Sequence, residues 1–406
     1  MPFDISQSFR SNPPAPATAW KAFPTYNFVG GNIDGDTVPA GPLADAVAAA
    51  LKAEGNTLAT YGLTSGPQGY LPFREAIADM LQRRTQMATT PDQVLVTSGS
   101  LQAMDLVNAL FLEPGDIVIV EQACYGGALT RIRGMGADYV GVELDDDGMI
   151  PAKLEAALAA CKAAGQRVKY LYLIPTVQNP TASVMPVERR REILSIAKAH
   201  DLAIFEDDCY ADLIFEGGRP PAFRALDEDG RVVYCGSFSK SIAPALRVGY
   251  LVADWEVMSR ILPLKNDAGS GAIEQMALAG YIPEAFDAHV DELNVMLKGK
   301  ADVLVEALEA NFGEAAEFPK PEAGIFLWVT LPKEVDTSKL FKAAGAEGIA
   351  INPGREWATD DTYGANRMRL CFANTSHQEI REGVAKLAEI CQREFGVPLR
   401  RANVAG

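Results

Sequence analysis

The sequence predicts an α/β protein: a large domain with a doubly wound, mostly parallel sheet, and a smaller α+β domain after it. Three observations carry that expectation. From residue 42 onward, short β-branched runs alternate with helical stretches, the rhythm of βα units. The runs are apolar throughout, which means that both faces of the sheet are covered. After about residue 283 the texture changes to a long polar helical stretch followed by shorter strands. A chain of 406 residues with 48% hydrophobic content has apolar material for two such cores.

Residues 1–55 are expected to form an N-terminal arm and part of the small domain. The first forty are rich in Pro, Gly and Asn and carry little periodicity, so they read as an arm, and "LADAVAAALKAEG" reads as a helix stopped at Gly55. The large domain, 56–282, contains the helix "FREAIADMLQRR", then "QVLVTSG" running into "SLQAMDLVNALFL", and "DIVIVE" after an "EPGD" turn. Next come "ADYVGVEL", the helix "PAKLEAALAACKAAG", "VKYLYLIP", the helix "PVERRREILSIAKAH", "LAIFEDD", "RVVYCGS" and "VGYLVA". The small domain, 283–406, holds "GIFLWVTL", the helix "SKLFKAAGAEG", "IAINPG", "RMRLCFA" and the amphipathic helix "QEIREGVAKLAEICQREF".

Composition removes several function classes. Net charge is −16 and no cluster of five or more Lys or Arg residues occurs, so the electrostatic footprint of a nucleic-acid binder is missing. There is no secretory leader pattern and no apolar run of about 18 residues, so the expectation is a cytoplasmic protein without a membrane partner. The six cysteines (Cys124, Cys161, Cys209, Cys235, Cys371, Cys391) form no CxxC pair and read as reduced core residues. His200, His289 and His377 have no ligand partner at metal spacing, so no metal site is expected.

In open α/β sheets ligands bind at the carboxyl ends of strands, and four such ends carry unusual residues. Ser98-Gly99-Ser100 opens a helix, where free N–H groups and small side chains can cradle a phosphate, although a plain serine N-cap reads equally from the residues. Asn179-Pro180 follows a strand and, alone, is an ordinary turn. Glu206, Asp207 and Asp208 end an apolar strand, and a carboxylate there stays ionised only beside a cation. In "VVYCGSFSKSIAPALRVGY", Lys240 stands behind Ser237 and Ser239, seven residues before Arg247. Partial burial and a neighbouring cation turn an amine into a nucleophile toward carbonyls, while Ser237, Ser239 and Arg247 can hold phosphate oxygens. Amine, phosphate cradle and carboxylate together are what pyridoxal phosphate demands: an aldehyde to condense, a dianion to anchor, a pyridinium nitrogen to pair.

On these residues the chain resembles the pyridoxal-phosphate enzymes of fold type I, the class I/II aminotransferases. The likeness is to the branch holding the 2-aminoadipate aminotransferases and the aminotransferase-like domains of MocR-type regulators. It runs from about Gly31 to about residue 390. "GSFSKSIAPALRVGY" is its most specific stretch, with "EDDCY" and "QNPT" in the family's order. The resemblance implies that Lys240 forms the internal aldimine and then moves the substrate proton. It implies that Asp207 pairs the ring nitrogen, Asn179 and Tyr210 bond the ring's 3-oxygen, and Tyr125 stacks on the ring. Gly99, Ser100, Leu101, Ser237, Ser239 and Arg247 would hold the phosphate. Tyr61 would reach the phosphate of a neighbouring subunit, making the protein a homodimer with shared sites. Arg369 would bind the substrate carboxylate, with Gly31 and Asn179 beside it. Three departures touch the pocket wall: a longer loop between Tyr61 and Gly69, Ala182 in place of a frequent glycine after "NPT", and no proline before Tyr125.

The expected reaction is amino exchange between an L-amino acid of the 2-aminoadipate, aromatic or branched aliphatic type and a 2-oxo acid such as 2-oxoglutarate. A β-lyase is the enzymatic alternative, since the fold alone does not fix the chemistry. A non-catalytic sensor of pyridoxal phosphate is the other; such regulators carry a winged helix-turn-helix before this domain, for which the motifs beginning at residue 31 leave no room. Arg10, in the arm, is the candidate for a distal substrate carboxylate.

Overall fold

The apolar runs between residues 94 and 252 pair into one seven-stranded sheet, and most of the site's residues follow the ends of its strands. The structure is a computed structural model that describes residues 3–11, 13, 15–17, 19 and 22–399. The chain begins with β1 (Tyr26–Asn27), α1 (Ala40–Glu54) and α2 (Leu71–Thr85). It continues with β2 (Val94–Thr97), α3 (Ser100–Phe111), β3 (Ile117–Glu121), α4 (Gly126–Gly134) and β4 (Asp138–Val142). A hairpin of β5 (Leu144–Asp145) and β6 (Gly148–Met149) leads to α5 (Pro151–Ala163), β7 (Val168–Leu173), α6 (Val187–Ala199) and β8 (Ala203–Asp207). Then come α7 (Phe223–Leu226), β9 (Val232–Ser237), β10 (Gly249–Val252) and α8 (Trp255–Ile261).

The sheet order is β2-β10-β9-β8-β7-β3-β4, and all neighbours are parallel except those of β10. The exception has a simple cause. Between Ser237 and Gly249 the chain holds only a single helical turn at Pro244–Leu246, too little for the crossover that a parallel return requires. Helices cover both faces: Met104, Leu129 and Met258 pack on one side, Leu154, Leu158 and Ile193 on the other, and all are buried. That is the two-sided burial that unbroken apolar strands require.

The remainder is α9 (Ala272–Asn311), β11 (Phe326–Thr330), α10 (Thr337–Ala346), β12 (Ile349–Ala350), β13 (Asn352–Pro353), α11 (Asp361–Gly364), β14 (Arg367–Cys371) and α12 (His377–Phe395). β11, β14 and β13 form an antiparallel sheet, and α12 lays Ile380, Val384 and Leu387 against it. A capping box starts α12, with Ser376 Oγ accepting from the Glu379 N–H at 3.2 Å and Glu379 Oε2 accepting from the Ser376 N–H at 2.7 Å.

The arm is less loose than its composition suggests. β1 pairs in parallel with β12, the Phe28 N–H donates to the Ala350 carbonyl, and the Cys371 N–H donates to the Phe28 carbonyl. Two residues on, the Gly30 carbonyl accepts from the Cys371 thiol at 2.7 Å. These bonds tie residues 26–30 to the small lobe. The boundary expected at residues 282/283 falls inside α9, which runs unbroken through Pro283 and packs against α1 and α2 at one end and α12 toward the other.

Candidate active site

Five strand ends and the arm converge on a cavity of about 340 Å³. Lys240 follows β9, and its Nζ donates to the Gly31 carbonyl at 2.7 Å. A Cβ on Gly31 would sit 2.1 Å from that nitrogen, so any larger residue there would displace the lysine amine from its present place. Burial pushes the Lys240 amine below its ordinary range, and Arg369 and Arg247 push the same way against the thiols of Cys209 and Cys371. This environment favours the free amine, the nucleophilic form.

Asp207 ends β8. Its Oδ2 accepts from the Tyr172 hydroxyl at 2.8 Å, whereas Oδ1 is buried with no partner. Burial raises the Asp207 carboxyl, and the hydrogen bonds from Cys209 and Tyr172 only partly offset it. An orphaned carboxylate oxygen at a cavity wall is a place for a cationic N–H.

An anion cradle lies opposite. α3 starts at Ser100 without a side-chain cap, so its first N–H groups are open, and Ser100 and Leu101 line the cavity. Gly99 has φ +77°, and a Cβ there would lie 2.2 Å from Arg247 Nη2. Arg247 Nη1 donates to Ser239 Oγ at 3.4 Å, and Ser237 Oγ lies 3.0 Å from Ser239 Oγ.

Arg369 comes from β14 on the small lobe. Its Nη1 donates to Asn179 Oδ1 at 2.8 Å, its Nη2 to Asn352 Oδ1 at 2.8 Å and to the Gly30 carbonyl at 3.3 Å, and its Nε has no partner. The guanidinium carbon lies 3.7 Å from the Trp357 ring centre and 5.0 Å from that of Phe326. Asn179 also reaches the Tyr210 hydroxyl at 3.5 Å, and Tyr125 stands 5.7 Å from Trp357, centroid to centroid.

Twelve residues expected from the sequence thus line one cavity: Gly31, Ser100, Leu101, Tyr125, Asn179, Asp207, Tyr210, Ser237, Ser239, Lys240, Arg247 and Arg369. Gly99 lies directly behind it, against Arg247. Two do not join them. Tyr61 is 87% exposed and lines a separate cavity of about 820 Å³ with Lys265, Asp267 and Gln275. Arg10 is exposed and is not part of the lining. Sequence reasoning missed Tyr172, Asn352 and Trp357. Tyr172 looked like its core neighbour Tyr170, and Trp357 is brought to the site by bonds of its segment to residues 122–124, among them the Cys124 N–H to the Trp357 carbonyl.

The residues fit a phosphorylated pyridine aldehyde: a depressed amine, an unpaired buried carboxylate and an uncapped helix start beside an arginine. Fold and site together define a pyridoxal-phosphate-dependent transaminase of fold type I. The model of the aminotransferase class I and II family matches residues 26–387, and the chain belongs to that family. It is 34% identical over 338 residues to aromatic-amino-acid aminotransferase 1 of Thermococcus litoralis, spanning 82% of this chain and 80% of that one. It is 32% identical to the 2-aminoadipate transaminase of Thermus thermophilus, over 89% of this chain and 88% of the relative. The kynurenine aminotransferase of Pyrococcus horikoshii, solved in complex with PMP, superimposes with a TM-score of 0.86 at 33% identity over 91% of each chain. The cofactor is pyridoxal 5'-phosphate, and no helix among the described residues is long and apolar enough to cross a membrane.

Proposed function

We propose that this transaminase takes an L-amino acid with a long or aromatic side chain, of the aromatic or 2-aminoadipate type, and passes its amino group to a 2-oxo acid such as 2-oxoglutarate. The observation that carries this reading is Arg369 in one cavity with Lys240: a planar fork for an α-carboxylate facing a buried amine. Ile174, Tyr125 and Trp357 give the cavity apolar walls suited to a large side chain. Relatives that act on aromatic amino acids and on 2-aminoadipate, by their names, support the same class.

Bound pyridoxal phosphate supplies the electron sink for the carbanion at the substrate Cα. Asp207 would hold a proton on the ring nitrogen, and Asn179 and Tyr210 would orient the ring oxygen. Arg369 fixes the substrate carboxylate, and Lys240 lifts the Cα proton as a neutral amine. Keeping the carboxylate bound argues for exchange over decarboxylation.

The exposed Tyr61, beside its own large cavity, supports a homodimer in which each chain completes its partner's site. Six free cysteines, none in a disulfide among the described residues, support a cytoplasmic location.

The test is a stopped-flow panel of amino acids that follows cofactor absorbance and 2-oxo-acid release. Exchange with aromatic or 2-aminoadipate donors is expected in the native chain and none in Lys240→Ala. Release of pyruvate from a cysteine conjugate with no acceptor present would instead mark a β-lyase.

A further inference from the structure

We propose that Asp207, Cys209 and Cys235 form a zinc site in the cofactor-free chain. One carboxylate oxygen and the two Sγ atoms all lie within 4.8 Å of one another. The cluster is assembled by sheet register: Asp207 on β8 lies opposite Cys235 on β9, and Cys209 follows two residues after Asp207. Spacing along the chain gives no hint of it, because no CxxC pair is involved and the ligands come from neighbouring strands.

Two thiols and a carboxylate are a donor set suited to Zn²⁺, which takes three protein ligands and leaves a fourth position open in exchangeable sites. Here the open side is the cavity, which Asp207 and Cys209 line, while Cys235 is fully buried beneath. Asp207 Oδ1 is a buried oxygen with no partner, in a residue only 6% exposed, and in the cofactor-free chain it is open to an ion. The other oxygen is steadied by the Tyr172 hydroxyl, the outer support that fixes a metal-ligating carboxylate.

At neutral pH an ordinary cysteine thiol carries its proton, and the thiolate is the form that binds a metal. Zinc binding therefore forms two Zn–S bonds and one Zn–O bond and releases the two thiol protons to solvent, with no change of oxidation state. Both zinc and the ring nitrogen claim the Asp207 carboxylate, so the two exclude each other. A newly made chain in the presence of free zinc is held from its cofactor.

The experiment uses the full chain, stripped of cofactor and kept reduced, titrated with Zn²⁺ by calorimetry and with Co²⁺ by absorption. One equivalent should bind, with about two protons released and a thiolate-to-cobalt charge-transfer band. Cys235→Ala and the near-isosteric Cys235→Ser should weaken binding by more than the roughly 10–100-fold that losing an outer-shell partner costs. Both variants should still take up pyridoxal phosphate, which reports that they fold independently of the metal result. Added pyridoxal phosphate should displace the ion from the native chain. The proposal fails if no thiolate band forms, if Cys209→Ala and Cys235→Ala bind the metal as the native chain does, or if the loaded protein still takes up a full equivalent. A chain that never takes up pyridoxal phosphate would sink the transaminase reading, while the metal titration would still decide the zinc site by itself.

Discussion

The Tyr172 hydroxyl donates a 2.8 Å hydrogen bond to Asp207 Oδ2, so one oxygen of this buried carboxylate is spoken for and the other has no protein partner, as the proposed pairing with the ring nitrogen requires. Removing that donor raises the Asp207 carboxyl further and weakens its hold on a pyridinium. A bond to a charged group contributes about 1.5–3 kcal/mol, so Tyr172→Phe should lose roughly 10- to 100-fold in cofactor affinity. An absorbance titration with pyridoxal phosphate measures it, and an unchanged dissociation constant contradicts the role.

Arg369 is packed between Trp357 and Phe326, and its Nε is a nitrogen with no protein partner, open to an incoming carboxylate. Arg369→Lys keeps the charge but loses the fork, and KM for the amino acid should rise roughly 10- to 100-fold. Trp357→Leu removes the ring beneath the guanidinium, with an expected rise of about 2- to 30-fold from a contact of about 0.5–2 kcal/mol. Steady-state kinetics on each variant decide, and a larger effect from Trp357 than from Arg369 would reverse the ranking.

Glu121 is fully buried beneath the loop that carries Asn179. Its Oε2 accepts from the Ile174 N–H at 3.1 Å and from Gln178 Nε2 at 3.2 Å, its Oε1 has no partner, and burial pushes the carboxyl up to about 8 from 4.5. Between those values the unfolded chain has lost a proton that the folded chain keeps. The contribution of Glu121 is therefore complete below the lower value and is lost as pH rises through the window, by up to about 1.4 kcal/mol per unit. Glu121→Gln should remove that slope, leaving the parallel one from Glu206, which is raised mainly by burial. Urea unfolding of both proteins at about pH 5 and about pH 8 gives the comparison, and identical slopes would count against it.

Ala182 sits at φ +63° in the same loop, a left-handed conformation that glycine adopts without strain. A left-handed alanine costs about 1–2 kcal/mol, partly offset by the stiffer unfolded chain, so Ala182→Gly should stabilise by up to about 1 kcal/mol. Thermal unfolding of the loaded protein reads this directly. A fall in Tm would mean that the alanine methyl, which faces Gly324, is a packing contact worth more than the strain.

What the sequence reveals, it reveals through strand ends. Lys240, Asp207, Asn179 and Ser100 were legible because each follows an apolar run whose direction and exit the βα rhythm already dictates. Tyr172 was not, because a tyrosine one turn of the pleat from Tyr170 has the same pattern, and only the packed sheet decides which hydroxyl meets a carboxylate. Asn352 pairs with Arg369 in the β13–β14 register and Trp357 stacks on its guanidinium from the turn after β13, contacts set by strand pairing that spacing along the chain does not show. The change of texture near residue 283 falls within α9, which continues through Pro283 because packing along its length outweighs the one backbone bond a proline forfeits.

The bond from the Cys371 thiol to the Gly30 carbonyl bears on how the protein is made, because it joins residues 341 positions apart and holds the arm next to the glycine that caps Lys240. At roughly 5–20 residues per second, the ribosome extrudes that anchor some 20–70 seconds after the glycine. The nascent site therefore stays open until β14 has been made, and a chain cut short before that strand has the large sheet but no closed site.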